Sequence, residues 1–344
     1  MGYVIDGDFV PANAPADGPR RPAMTGEDLL ILEVDLPLSQ FSQKAEYIPG
    51  HPQTTLLAIS PSSLRIIPRV IKTRQTKTGP MQNWKLTLTY DGTAYHGWQV
   101  QPGLPTIQGE LQKAIERVLG ESPLPQGSGR TDAGVHALGQ VASFPLAAPI
   151  PADNLQRALN RTLPPAIRIL EAQAAPGTFH ARHGAVAKTY EYRIFRGDLL
   201  SPFLAPYVHH SRWKLNLADL RQAANAVVGE HDFTSLAASD PDLALRSEED
   251  GDSEPAIRSA VRTIFSSAWS EVPGDLLLYR VRGNGFLHHM VRNLVGTMLE
   301  IGRGQFPAGS MVAILEARSR SAAGPTAPAR GLFLHSVEYP ETPL

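Results

Sequence analysis

Residues 127–139 of the 344-residue chain read GSGRTDAGVHALG, a glycine-rich stretch with one carboxylate near its centre. Glycines allow backbone conformations, and a close approach of a ligand, that other residues prevent. A loop of this kind between regular elements can present Asp132 to a bound molecule, with Arg130 beside it. These residues alone leave an alternative open, a tight turn in which Asp132 only caps the backbone through its side chain.

Two other interpretations of this loop are weaker. A Walker A phosphate cradle needs Gly-Lys-Ser/Thr at its end, whereas Gly134 is followed by Val135 and His136. Asp132 and His136 could face the same way and share a metal ion, but no HExxH-type pairing accompanies them. The other paired histidines lie in segments that we interpret as unrelated to the loop: His180 with His183, His209 with His210, and His288 with His289. We therefore predict no metal site.

The sequence around the loop predicts strands and helices in both halves of the chain. Residues 85–90, KLTLTY, alternate polar and apolar side chains, which is typical of a half-buried strand. Residues 106–119 carry apolar side chains at every fourth position, which predicts one buried helix face. Further strands are predicted at 140–144, 166–174, 188–195, 259–270, 276–281 and 332–339, and further helices at 154–163, 217–228, 285–301 and 311–317. This mixture indicates an α+β fold.

The composition excludes several classes of protein. The chain has no cysteine, which excludes a disulfide framework, a thiolate metal site and a cysteine nucleophile. Its 32 Lys+Arg and 33 Asp+Glu give a formal charge of −1, which taken alone argues mildly against binding to nucleic acid. The N-terminus lacks the pattern of a signal peptide, and no apolar run is long enough for a transmembrane helix. We therefore expect a cytoplasmic protein.

Two stretches differ in composition from the rest of the chain. Residues 1–80 are proline-rich and weakly periodic, so we predict an N-terminal extension that is disordered or precedes a true start at Met81. An acidic insertion is predicted at 238–256, where residues 240–254 hold seven carboxylates and one arginine. The chain without residues 1–80 and 240–254 has 23 basic and 18 acidic side chains, a charge of +5 that suits an RNA partner. We predict that this part divides into halves at 81–185 and 186–344.

Residues 127–139 resemble the catalytic loop of the TruA family of tRNA pseudouridine synthases, and five further segments resemble motifs of that family in the same order. These are YDGTAYHGWQVQ at 90–101, FHARHGAVAKTYEYRI at 179–194, GEHDFTSL at 229–236, GFLHHMVRNLVGTMLEIGRG at 285–304 and GLFLHSVEYP at 331–340. The resemblance implies the pseudouridine synthase fold, with two similar α/β halves, mainly antiparallel sheets and a central active-site cleft. The chain departs from the family at His183, where an aromatic residue is usual.

The same resemblance implies an activity and its residues. Uridine would be isomerised to pseudouridine in the anticodon stem-loop, at tRNA positions 38, 39 and 40, with no metal and no cofactor. Asp132 matches the catalytic carboxylate, a nucleophile or a base, and Arg292 matches the basic residue that pairs with it. Tyr190 matches the residue that stacks on the target uracil, and an aromatic face holds a base without blocking its rotation. Arg130 is a further candidate, either filling the gap left by the flipped nucleotide or binding phosphate.

The resemblance also implies partners: tRNA, and a second copy of the chain in a homodimer where each tRNA touches both subunits. No membrane partner is expected. Candidates for contacts to the RNA phosphates are Arg130, Arg157, Arg161, Arg182, Lys188 and Arg292. Two other classes of function remain as alternatives, a non-catalytic tRNA-binding protein of the same fold and a His/Asp metal hydrolase.

Overall fold

The computed structural model describes residues 2–5, 8–11, 81–239 and 259–340. The chain divides into two units, Met1–Thr73 and Arg74–Leu344. In the first unit, strand β1 (Gly2–Ile5) pairs with strand β2 (Asp8–Pro11) in an antiparallel manner. The rest of the extension predicted at 1–80, and all but the first two residues of the acidic insertion predicted at 238–256, lie outside the described residues. The predicted division into an extension and two halves therefore stays a prediction.

The second unit is a mixed body of strands and helices, which confirms the predicted α+β class. Its strands are β3 (Gln82–Tyr90), β4 (Gln126–Gly127), β5 (His136–Leu146), β6 (Ile167–Ala175), β7 (Ala187–Phe195), β8 (His209–His210), β9 (Gly229–Asp232), β10 (Val261–Val272), β11 (Leu276–Gly283) and β12 (Leu332–Glu338). Its helices are α1 (Ile107–Leu119), α2 (Ala152–Thr162), α3 (Leu217–Asn225), α4 (Met290–Gly302) and α5 (Met311–Glu316).

The strands of this unit form one ten-stranded sheet that runs through both predicted halves. The order along the sheet is β6-β3-β5-β12-β7-β11-β10-β9, with β4 on β5 and β8 on β7. Most pairings are antiparallel, as expected from the resemblance, whereas β12 runs parallel to β5 and antiparallel to β7. Leu334 on β12 is aligned with Ala137 of β5 on one side and with Tyr190 of β7 on the other. Strand β12 therefore lies between the start of β5 and the middle of β7 and sets the distance between these two strands.

Strand β3 and helix α1 form where the sequence predicts them. On β3, every second residue from Trp84 to Tyr90 is buried, as the alternating pattern requires. Helix α1 begins after Thr106, whose side chain accepts a hydrogen bond from the backbone N–H of Gly109. The helix ends at Leu119 and is capped by Gly120, which has a φ of 75°, a conformation that glycine adopts without strain. Both elements are therefore specified by local sequence.

Helix α4 begins later than the sequence predicts. The prediction placed its start at Gly285, whereas the helix starts at Met290, because His289 has a left-handed backbone with a φ of 58° that cannot continue a helix. Inside the helix, a Cβ atom on Gly296 would lie 1.7 Å from the carbonyl oxygen of Pro325. Glycine at position 296 therefore allows the chain around Pro325 to lie directly against α4.

No helix among the described residues is long and apolar enough to cross a bilayer.

Candidate active site

Asp132 lies in the loop between β4 and β5, and residues 91–101 hold this loop from one side. The backbone N–H of Trp98 donates to the carbonyl oxygen of Thr131 at 2.9 Å, and that of Gly134 donates to Tyr95 at 3.3 Å. Gly97, with a φ of 87°, lies so close that a Cβ atom there would be 2.4 Å from the oxygen of Thr131. The glycines of the segment YDGTAYHGW thus allow two loops to pack backbone against backbone.

Buried polar side chains support the loop from the other side. The hydroxyl groups of Tyr90 and Thr131 are 2.9 Å apart, and the amide of Gln140 donates to the carbonyl oxygen of Gly129 at 2.8 Å. Ser128 donates in turn to the side-chain oxygen of Gln140 at 2.6 Å. Burial raises the pKa of Tyr90 to about 12, so the phenol stays neutral and keeps its proton for hydrogen bonding. The residues next to Asp132 are therefore fixed by a hydrogen-bonded network.

Arg292 on helix α4 reaches Asp132 from the other half of the chain. Its Nη1 atom donates to Oδ2 of Asp132 at 2.8 Å, and its Nε atom donates to the carbonyl oxygen of Ala327 at 2.8 Å. The backbone N–H of Ala327 donates back to the carbonyl oxygen of Arg292 at 3.0 Å. The side chains of Asp132 and Arg292 are 24% and 16% exposed, so this ion pair is partly shielded from water yet open to a ligand.

Two histidines, His288 and His289, also lie next to Asp132. The prediction that their segment is unrelated to the loop was therefore wrong. The Nε2 atom of His289 lies 3.2 Å from Oδ2 of Asp132, and that of His288 lies 3.8 Å from Oδ1. Their ring centroids are 3.9 Å apart, and Nδ1 of His288 is 2.8 Å from the carbonyl oxygen of Ser239. Burial lowers the pKa of His289, although the charge of Asp132 acts in the opposite direction.

A metal ion could find three ligand atoms here, although Arg292 competes for one of them. Ligand atoms of Asp132, His288 and His289 lie within 4.8 Å of one another. Among the described residues, these three form the group of His, Asp and Glu side chains that is close enough to hold a metal ion. The Arg292 guanidinium is already bonded to Oδ2 of Asp132, so a cation would face a fixed positive charge. The pair of Asp132 with His136 that the sequence suggested does not form, because His136 is buried and its ring nitrogens face other groups.

Tyr190 lines the same pocket as Asp132 and Arg292. Its ring is 8% exposed and meets the ring of Phe286 edge to face, with 5.0 Å between centroids. Burial raises the pKa of Tyr190 above its usual range, so the phenol is neutral. The pocket contains about 970 Å³ of space, part of it open solvent, and Leu287 lines its wall. A flat ligand in this pocket would therefore contact an uncharged aromatic side chain and a carboxylate together.

The basic residues named from the sequence separate into two groups. Arg130, Arg182, Lys188 and Arg292 line the pocket. Arg157 and Arg161 lie on helix α2 and do not line it. Lys188 also connects β7 to the loop that carries Asp132, because its ammonium group donates to the carbonyl oxygen of Ser128.

Sequence reasoning missed His288, His289 and the role of residues 91–101. A signal for the histidines was present, because they precede Arg292 by four and three positions in the segment GFLHHMVRN. Because the resemblance pairs Arg292 with Asp132, residues close to Arg292 in sequence are also expected to lie near the Asp132 carboxylate. Residues 91–101 hold the loop of Asp132 through backbone contacts, and the pattern of side chains in a sequence does not predict such contacts.

Comparisons with known proteins identify relatives of this chain. The family model described as tRNA pseudouridine synthase matches residues 87–183 and 223–340. A tRNA pseudouridine synthase A of Solibacter usitatus (strain Ellin6076) is 53% identical over 259 residues, which are 75% of this chain and 100% of that protein. Proteins of the same name from Moorella thermoacetica and Bacillus subtilis are 44% and 41% identical over 258 residues, 74% of this chain and 98% of each relative.

Proposed function

This chain belongs to the tRNA pseudouridine synthase family, and we propose that it isomerises uridine in the anticodon arm of tRNA with Asp132 as the catalytic carboxylate. The observation that carries the assignment of Asp132 is its ion pair with Arg292 in a pocket that Tyr190 also lines. The expected positions are the three uridines at tRNA positions 38, 39 and 40.

The chemistry needs few groups from the protein. The bond from ribose C1′ to uracil N1 breaks, the base turns, and a bond forms from C1′ to C5. C5 then loses its proton and N1 gains one, so the product is an isomer of the substrate and no electrons are transferred to another molecule. The reaction therefore requires a carboxylate at C1′ and a pocket that holds the detached uracil while it turns.

Asp132 fits the first requirement. A carboxylate that a bound base shields from water needs a positive partner to remain ionised. Arg292 supplies that charge at 2.8 Å, and the bond from its Nε atom to Ala327 keeps the guanidinium in place. An ionised Asp132 can act on C1′ either as a nucleophile or as a base, and both roles begin from the same geometry.

Tyr190 and the basic residues of the pocket fit the second requirement. We assign Tyr190 to stacking on the target uracil, because its neutral ring lies in the pocket beside Phe286. Swinging a base out of structured RNA costs a few kcal/mol, which contacts to phosphates help to offset. Arg130, Arg182 and Lys188 line the pocket. Arg130 lies two positions before Asp132 in sequence, and we assign it to filling the vacated stack or binding phosphate.

The proposal includes a homodimer that acts in the cytoplasm, where tRNA is found. Leu199 and Phe203 support the dimer, because their side chains are 90% and 89% exposed within five residues of each other. A second copy of the chain would remove this apolar surface from water. Light scattering should give the molar mass of a dimer for the wild type and of a monomer for a Leu199→Ser, Phe203→Ser variant. A wild type with the molar mass of one chain would contradict the dimer.

A pseudouridine assay on unmodified tRNA tests the function. Wild-type protein and Asp132→Asn are incubated with tRNA transcripts, and pseudouridine is mapped by carbodiimide modification and primer extension. We expect product in the anticodon arm with the wild type and a loss of about 10³-fold or more with Asp132→Asn. Asp132→Asn should still bind tRNA, since the phosphate contacts remain. Equal product from both proteins would refute the catalytic role of Asp132, and tRNA binding without product from the wild type would favour a non-catalytic tRNA-binding protein.

A further inference from the structure

We propose that His289 is a positioning residue which, together with Arg292, holds Oδ2 of Asp132, so that Oδ1 is the oxygen presented to ribose C1′. This inference rests on the proposed function and deepens it. The resemblance assigned roles to Asp132 and Arg292, whereas His289 enters through the geometry of the structure alone.

The contacts of Asp132 are divided unequally between its two oxygens. Oδ2 is approached by Nη1 of Arg292 at 2.8 Å and by Nε2 of His289 at 3.2 Å. Among the described residues, the ion-pair partner of Oδ1 is Nε2 of His288 at 3.8 Å, which is too long for a hydrogen bond. An oxygen that accepts the charge-assisted hydrogen bond of Arg292 and is flanked by the His289 ring is less nucleophilic and less basic than its neighbour, so Oδ1 is the oxygen left for chemistry.

The backbone of His289 supports a role for its side chain. With φ of 58° and ψ of 3°, His289 occupies the left-handed region, which glycine adopts at lower cost than histidine. Strained residues of this kind cluster at active sites, where the surrounding structure maintains them. The turn before α4 would form more readily with glycine at this position, yet the position carries a ring that points at Asp132.

The ring of His289 is also held in place from behind. Its centroid lies 3.9 Å from that of His288, at an interplanar angle of 32°. The His288 ring is fixed in turn, because its Nδ1 atom lies 2.8 Å from the carbonyl oxygen of Ser239. Arg292 follows on the first turn of the same helix, so one short segment delivers both groups that contact Oδ2. Rotation of the Asp132 carboxylate would break both contacts together.

The variant His289→Gly tests the inference, because glycine accepts the left-handed backbone and removes only the ring. We expect kcat for pseudouridine formation to fall about 10²-fold, which is the order of effect of a misplaced reacting group. The KM for tRNA should change less than about twofold, because His289 makes no contact that holds the RNA in place in this proposal. Free imidazole added to His289→Gly should restore part of kcat, an effect that a purely structural role would not produce.

Asp275→Gly is the matched control. Asp275 has a φ of 57° in the turn between β10 and β11, so this change relieves the same backbone strain away from the site and should leave kcat unchanged. A wild-type kcat in His289→Gly, or a reduced kcat that imidazole does not raise, would overturn the inference. Both outcomes are distinguishable from failure of the proposed function, because wild-type protein would still form pseudouridine and Asp132→Asn would not.

Discussion

Nη1 of Arg292 lies 2.8 Å from Oδ2 of Asp132, although 160 positions separate the two residues in the chain. The same guanidinium donates through Nε to the backbone of Ala327. One side chain therefore joins three parts of the fold: the loop before β5, helix α4 and the segment before β12. The site depends on the whole body, because no single segment contains both members of the ion pair.

Arg292→Lys should behave as a severe substitution. A lysine ammonium is a single point charge, so it cannot bond Oδ2 of Asp132 and the carbonyl oxygen of Ala327 in the fixed directions that a guanidinium provides. We expect kcat to fall about 10²-fold, measured on unmodified tRNA. Arg303→Lys, on the C-terminal side of the same helix, is the control and should keep the wild-type kcat. Equal rates for the two variants would show that the geometry of the Arg292 guanidinium is not required.

Tyr190→Leu should weaken the binding of substrate tRNA. Stacking of a base on an aromatic ring contributes about 1–3 kcal/mol, and leucine provides no flat face for it. The Kd, measured by filter binding at fixed salt, should rise about tenfold or more, whereas Tyr190→Phe should stay within about twofold of the wild type because the ring is kept. A Tyr190→Leu variant that binds as tightly as the wild type would contradict the stacking role.

Gly296→Ala should destabilise the protein strongly. The new Cβ atom would lie 1.7 Å from the carbonyl oxygen of Pro325, so α4 and the segment at Pro325 must move apart. We expect the free energy of unfolding in urea to fall by about 3 kcal/mol. Gly177→Ala is the matched control, because a Cβ atom there meets nothing within 4 Å, and it should change the stability by less than about 0.5 kcal/mol. Similar stability of the two variants would show that the Gly296 contact relaxes easily.

The stability of the protein should fall in mildly acidic solution, partly because of His209. Burial lowers the pKa of His209 to about 4, from the usual value of about 6.5. The folded state therefore disfavours protonation, and the contribution of His209 to stability is complete above pH 6.5 and is lost as the pH falls toward 4. In urea unfolding at pH 7.5 and pH 5, the wild type should lose about 1 kcal/mol more than His209→Gln, after allowing for partial solvent exposure. Equal losses would assign the acid sensitivity to other groups.

The parts of the fold that follow from local pattern were predicted from the sequence. The alternation in KLTLTY gave strand β3, and the four-residue spacing after Thr106 gave helix α1. The resemblance placed Asp132, Arg292 and Tyr190 together, and the structure brings all three to one pocket. Their roles in the reaction, and that of Arg130, stay predictions until variants are assayed.

The parts that depend on contacts between distant segments could not be predicted. The apolar residues in GFLHHM favour an early start for helix α4, whereas tertiary packing holds His289 in a left-handed conformation and delays the helix. The sequence likewise predicted a strand at 332–339 but could not identify its neighbours. Its parallel pairing with β5 is visible only when both halves are folded.

The position of β12 in the sheet has a consequence for synthesis on the ribosome. The chain emerges from its N-terminus, so β5 and β7 leave the exit tunnel long before β12, which lies between them in the finished sheet. During that time the edges of β5 and β7 that later pair with β12 are open except where β4 and β8 pair with them, and open edges can pair wrongly with other strands. Pairing of β12 after it leaves the tunnel therefore covers these edges in a late step. A chain truncated before β12 would therefore lack the strand that joins β5 to β7 and would be prone to aggregate.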